Sequence, residues 1–126
     1  MAENAAIADA FFDALQRVDM EALRHLYDEK VEIWHNFTDA SHGRDANIAT
    51  LAGFANVRSV RYSILERYWT GDVLAQRHRL IVTARSGEVI NLPVAIFMTF
   101  RDGKIYRIHE YFDSAQLQPV IKAMTV

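Results

Sequence analysis

Four long β segments in the second half of the chain constrain it more than any other feature. From residue 57 onward, apolar and polar residues alternate through 57–69, 73–85, 88–100 and 104–112. Alternation at period two is the pattern of strands with one face buried. The gaps carry turn chemistry, in "TGD", "RSG" and "RDGK". Asp102-Gly103 is a dipeptide that tight hairpins favour, because both turn positions need positive φ. Consecutive strands joined this way pair antiparallel. Pro93 interrupts the third segment and has no N–H for a ladder, so a bulge or an unpaired edge is expected there.

The first half reads differently. Ile7, Phe11, Leu15 and Val18 recur at helical spacing and predict an amphipathic helix over 4–18. Asp19 is placed to cap a second, shorter helix carrying Leu23, Leu26 and Tyr27. "KVEIWHNF" alternates as a strand, "TDASHG" reads as a loop, and 44–55 as a third helix with Ile48, Leu51, Ala52 and Phe54 inward. No element is assigned after residue 113. The order α-α-β-α-β-β-β-β predicts an α+β fold, one domain over residues 1–126, with helices packed on one face of a curled antiparallel sheet.

Composition narrows the function classes. The chain has 126 residues, 51% of them hydrophobic and 24% charged, with a net charge of -2. That balance gives no reason to expect nucleic acid or a membrane surface as partner. No apolar run approaches the ~20 residues a membrane span needs. "MAENAAIADAFF" carries Glu3 and Asp9 where an export signal carries Lys or Arg, so a cytoplasmic location is expected. The absence of cysteine excludes disulfides, thiolate nucleophiles and zinc–thiolate sites. With no phosphate loop or dinucleotide fingerprint, no cofactor is expected.

Strand parity then singles out three residues. In 73–85, Arg77, Arg79, Ile81, Thr83 and Arg85 share one face, and Gln76, His78, Leu80, Val82 and Ala84 the other. Arginines are costly to bury, so the second face is the inner one and His78 points inward. In the first strand, Val31, Ile33, His35 and Phe37 share a face, which turns His35 inward and Trp34 outward. In "GKIYRIHEYFD", Tyr106, Ile108, Glu110 and Phe112 lie opposite Ile105, Arg107, His109, Tyr111 and Asp113, so Glu110 stands alone on an apolar face. A single inward histidine is most often a hydrogen-bonded core residue. An isolated carboxylate is costlier to bury, and three titratable groups aimed at one space suit acid–base chemistry. The same trio would also make a two-histidine, one-carboxylate metal set, a lesser alternative.

"FFDALQRVDMEALRHLYDEKVEIWHN", "GRDANIATLAGF" and "DGKIYRIHEYFD" together resemble the SnoaL-like branch of the nuclear transport factor 2-like superfamily. The resemblance implies a cone-shaped sheet whose concave face, covered by the three helices of the N-terminal half, encloses a deep apolar pocket. It is nearest to the epoxide-hydrolase and ketosteroid-isomerase members. By position, Glu110 matches the hydrolase's water-activating aspartate, His78 its second aspartate, and Gln76 the arginine between them. His35 matches a water-holding asparagine there and the general-base aspartate of the isomerase. Ile33 and Phe11 replace tyrosines, so neither constellation is intact. Phe12, Leu15, Ile33, Phe54, Gln76, Leu80, Leu92, Val94 and Phe112 are the implied pocket lining.

The expected activity is cofactor-free and metal-free acid–base chemistry, of isomerase or hydro-lyase type, on a small hydrophobic cyclic ligand. Glu110 or His78 would remove a proton and His35 would donate one. Alternatives are an epoxide-hydrolase-like reaction with Glu110 activating water, a non-catalytic binder, and a protein-interaction module. A partly apolar outer sheet face, with Trp34, Ile81 and Tyr111, together with family habit, predicts a homodimer.

Overall fold

The computed structural model describes residues 2–125. Helix α1 (Ala2–Arg17) buries Ala8, Phe11, Phe12 and Leu15, a stripe at the three- and four-residue spacing of one helix face. It ends at Val18, whose φ of 55° reverses the chain, and Asp19 N–H closes the last turn on Ala14 at 2.9 Å. Asp19 then caps α2 (Met20–Leu26), its carboxylate accepting from Ala22 N–H at 3.0 Å. Two helices thus meet at a sharp corner built from adjacent residues.

Strand β1 (Tyr27–His35) follows directly, then a short β2 (Ala40–His42), α3 (Arg44–Leu51) and a 3-10 turn (Ala52–Asn56). The meander comes next, as β3 (Ser59–Thr70), β4 (Val73–Thr83), β5 (Val89–Arg101) and β6 (Lys104–Tyr111), and α4 (Ser114–Met124) closes the chain. The fold is α+β, as the segment order predicts. Asp102 and Gly103 both have positive φ, 52° and 75°, as a tight β5–β6 hairpin requires.

The six-stranded sheet runs β2-β1-β6-β5-β4-β3. Its β1–β6 pair is parallel, so the sheet is mixed rather than wholly antiparallel. Parity reveals which face a residue occupies, but not which distant strand lies beside it or in which direction. Register breaks at Leu65 in β3 and at Tyr106 in β6, and such bulges bend and twist a sheet, here into an unclosed curl. The Tyr106 break also reverses parity at the start of β6. Ile105 is fully buried, where alternation counted from Glu110 put it outside, and Tyr106 turns out to stack under Arg101. Pro93 causes no slip against β4. It lies beyond Ala95, where pairing with β6 begins, and so takes the unpaired-edge option.

Two further differences concern helices. Ala52, expected inside, is exposed because α3 tightens into the 3-10 turn there and changes the rotation per residue. Among the described residues four helices, not three, pack with the sheet. α4 is capped by Asp113, which accepts from Ala115 N–H at 2.8 Å, and buries Leu117 and Val120 despite an internal Pro119. One core cluster joins α1, α3 and α4 to the inner sheet face through Phe12, Ile48, Leu92, Ile96, Met98 and Val120. Arg77 and Arg79 are exposed on the outer face. Among the described residues, no helix is long and apolar enough to cross a membrane.

Candidate functional site

The parallel β1–β6 pairing sets His35 directly beside Glu110. His35 Nε2 lies 3.1 Å from Glu110 Oε1, with both side chains mostly covered, at 17% and 22% exposure. The strands would separate just beyond this pair, but Asn36 holds them together. Its amide donates to the Phe112 carbonyl at 3.1 Å and accepts from Phe112 N–H at 3.0 Å. This fixes the Phe112 ring against His35 and Phe37, with centroids 5.8 and 5.4 Å away.

The dyad faces a cavity of about 200 Å³, walled by Phe54, Leu80, Leu92, Val94 and Phe112. Leu117, Val120, Ile121 and Met124 of α4 close one side, and Asn47, Thr50 and Leu51 of α3 another. His42 and Thr38 stand among the lining from the β2 region. A smaller recess of about 40 Å³ lies behind, under Phe11, Phe12, Leu15 and Ile33. His35, Glu110, Asn47, Leu51 and Tyr62 line both spaces, so they form the boundary between them. Volumes of this size suit a ligand of one or two rings: a dry cavity near 150 Å³ is known to hold benzene.

Two phenols stand close to the dyad. Tyr27 donates to Asn47 Oδ1 at 2.7 Å in a buried pair that ties β1 to α3. Burial holds the Tyr27 and Tyr62 hydroxyls well above the ordinary phenol range, and the Glu110 charge adds to the effect, so both stay protonated.

His78 is almost wholly buried, yet it lines neither space. Its ring packs against Phe12 and Tyr62, with centroids 5.2 and 5.3 Å away. A chain of polar groups approaches it from the sheet edge. Arg67 donates to Asp9 and to Gln76 Oε1, both at 2.6 Å, and Gln76 Nε2 lies 2.8 Å from His78 Nδ1. With its oxygen taken by Arg67, the Gln76 amide is the donor, so neutral His78 carries its proton on Nε2. That nitrogen and Arg67 Nη2 have no hydrogen-bond partner among the described residues. Burial, opposed by Glu110 and helped by Arg67, lowers the His78 pKa.

A SnoaL-like domain profile matches residues 8–108 of the sequence. The chain belongs to that family. No curated protein matches it. Among solved structures, it is similar to IdmH of Streptomyces antibioticus, a proposed polyketide cyclase, with a TM-score of 0.79 and 17% identity over 94% of this chain and 98% of that one. TerC, co-crystallised with polyporic acid, gives a TM-score of 0.77 and 19% identity, covering 95% of this chain and 98% of TerC. A Catenulispora acidiphila protein with a ketosteroid isomerase-like fold, in complex with trimethylamine, gives 0.75 and 18%, with 87% of each chain covered. At these identities the likeness establishes the fold alone.

Within this SnoaL-like frame the residues singled out from sequence fall into three groups. His35 and Glu110 meet at the cavity wall, with Phe54, Leu80, Leu92, Val94 and Phe112 around the main space and Phe12, Leu15 and Ile33 around the recess. His78 and Gln76 lie behind that wall and engage one another. Trp34 faces outward, packed edge-on against Tyr111 with its Nε1 donating to Asp39 at 3.0 Å. Among the described residues no three His, Asp or Glu side chains come together as a metal site needs, and His78 lies apart from the space that His35 and Glu110 line. Sequence reasoning missed Asn47, Tyr62, His42 and all of α4. For Tyr62 a signal existed: it shares the inner face of β3 with Val60, and pairs with Leu80.

Proposed function

We propose that this protein is a cofactor-free acid–base enzyme that moves a proton on a small hydrophobic cyclic ketone, as in an isomerisation or ring-forming reaction. The observation that carries this reading is the 3.1 Å His35–Glu110 contact in the wall of an otherwise apolar cavity. In the proposed step the ligand's C–H bond next to the carbonyl breaks. Its proton goes to Glu110 Oε2, the oxygen His35 does not engage, and the electron pair moves into an enolate. His35 stabilises the dyad through Oε1, and return of the proton at another carbon completes the isomerisation. A general base with hydrogen-bond reach to its proton contributes about 10²–10⁴ in rate. The cyclase and isomerase-like neighbours support a reaction of this class without defining it. A cytoplasmic homodimer is the setting proposed for it.

The test uses 2-tetralone, a two-ring ketone with exchangeable α-protons, followed by proton NMR in D₂O. Exchange faster than buffer, lost in Glu110→Gln, is expected. Binding with no acceleration would instead favour a non-catalytic carrier. The withdrawal of His78 and Gln76 from the cavity wall is the feature that favours this second reading.

A further inference from the structure

Tyr27 and Asn47 form a deeply covered polar contact in the lining of the cavity and its recess, at 2% and 7% exposure. Two buried groups joined at 2.7 Å could serve only to pin α3 to β1. The direction of the bond gives them a second property. The Tyr27 hydroxyl meets Asn47 at its oxygen and donates to it at 2.7 Å, so the Oδ1 end of the amide is the one engaged. The Nδ2 end is left on the other side. Asn47 lines both the main cavity and the recess, together with Glu110 and His35.

From this arrangement we infer that Asn47, oriented by Tyr27, donates from Nδ2 to the carbonyl oxygen of the ligand and so decides which ligands bind. The inference rests on the proton-transfer reading above. Removing a proton beside a carbonyl sends the electron pair toward oxygen, and a fixed neutral donor there favours the enolate without competing for the proton. Donor and base come from different elements, α3 and β6, so a ring between them presents its C–H to one and its oxygen to the other. The ligand class is a compact hydrophobic ketone rather than a hydrocarbon of the same shape.

The experiment compares 2-tetralone with 2-methylenetetralin, in which a CH₂ group replaces the oxygen. Dissociation constants are measured for the wild type, Asn47→Leu and Tyr27→Phe, with the ¹³C-labelled carbonyl stretch recorded for bound ketone. Asn47→Leu is expected to weaken the ketone at least tenfold and the methylene compound less than threefold. The stretch, lowered in the wild type, should return toward its value in an apolar solvent. Should Asn47→Leu not fold, Tyr27→Phe carries the same comparison, since the amide is then free to turn and the stretch should broaden. Equal weakening of both compounds, an unshifted stretch in the wild type, or binding of neither compound would overturn the inference. A shifted stretch without proton exchange would leave Asn47 as donor and sink the enzymatic reading. Exchange that depends on Glu110 but ignores Asn47 would do the reverse.

Discussion

His78 and Glu110 both sit on apolar faces in the sequence, and the structure treats them in opposite ways. Glu110 keeps a partly open carboxylate beside His35, whereas His78 is sealed behind Phe12 and Tyr62 with Gln76 on its Nδ1. Its pKa is lowered from 6.5, chiefly by burial. The unfolded chain therefore binds more protons than the folded one between the lowered value and 6.5, and stability falls as pH drops through that window. Denaturant titrations at pH 7.5 and 5 should show this loss, and His78→Phe should reduce it; an equal slope in the variant would show that other groups cause it. Parity revealed that both side chains turn inward. It could not reveal which of them reaches open space, because that depends on rings contributed by α1 and β3. The His35–Glu110 contact was equally hidden, since the residues are 75 positions apart and meet only through the parallel β1–β6 register.

At the scale of elements, the meander was legible because its turns and alternation are local signals. Helix α4 was not, although Asp113, Leu117 and Val120 supply a cap and an apolar stripe. Pro119 removes one internal hydrogen bond from this short helix, and its stability then comes from docking on the core. Leu117→Ala should therefore cost about 2–5 kcal/mol, as for other buried leucines, and Asp113→Ala about 1 kcal/mol through the lost cap. Chemical denaturation measures both. Because Leu117 also lines the cavity, its truncation should admit a larger ring system than the wild type accepts. A Leu117→Ala protein as stable as the wild type would mean that α4 is not held as described.

For the whole molecule, the outer sheet face carries its own pattern. Tyr68, Ala75, Phe97, His109 and Trp34 are cross-strand neighbours in one row from β3 to β1. Tyr68 and Phe97 are exposed, at 62% and 45%. Exposed aromatics in such a row suit burial against a second copy, so the protein should be a dimer by light scattering at micromolar concentration, and Phe97→Glu should make it monomeric. A monomeric wild type would remove this proposal and leave the cavity unaffected, since every residue of the site comes from one chain. The cavity itself is tested most directly by Glu110→Gln. The amide keeps an acceptor for His35 and removes the proton-accepting carboxylate. With Glu110 as the base, Glu110→Gln should leave the melting temperature unchanged, bind 2-tetralone within a few-fold of the wild type, and exchange α-protons slower by about 10²–10⁴. A variant that exchanges protons as fast as the wild type, or that loses its fold instead of its exchange, would show that Glu110 is not that base.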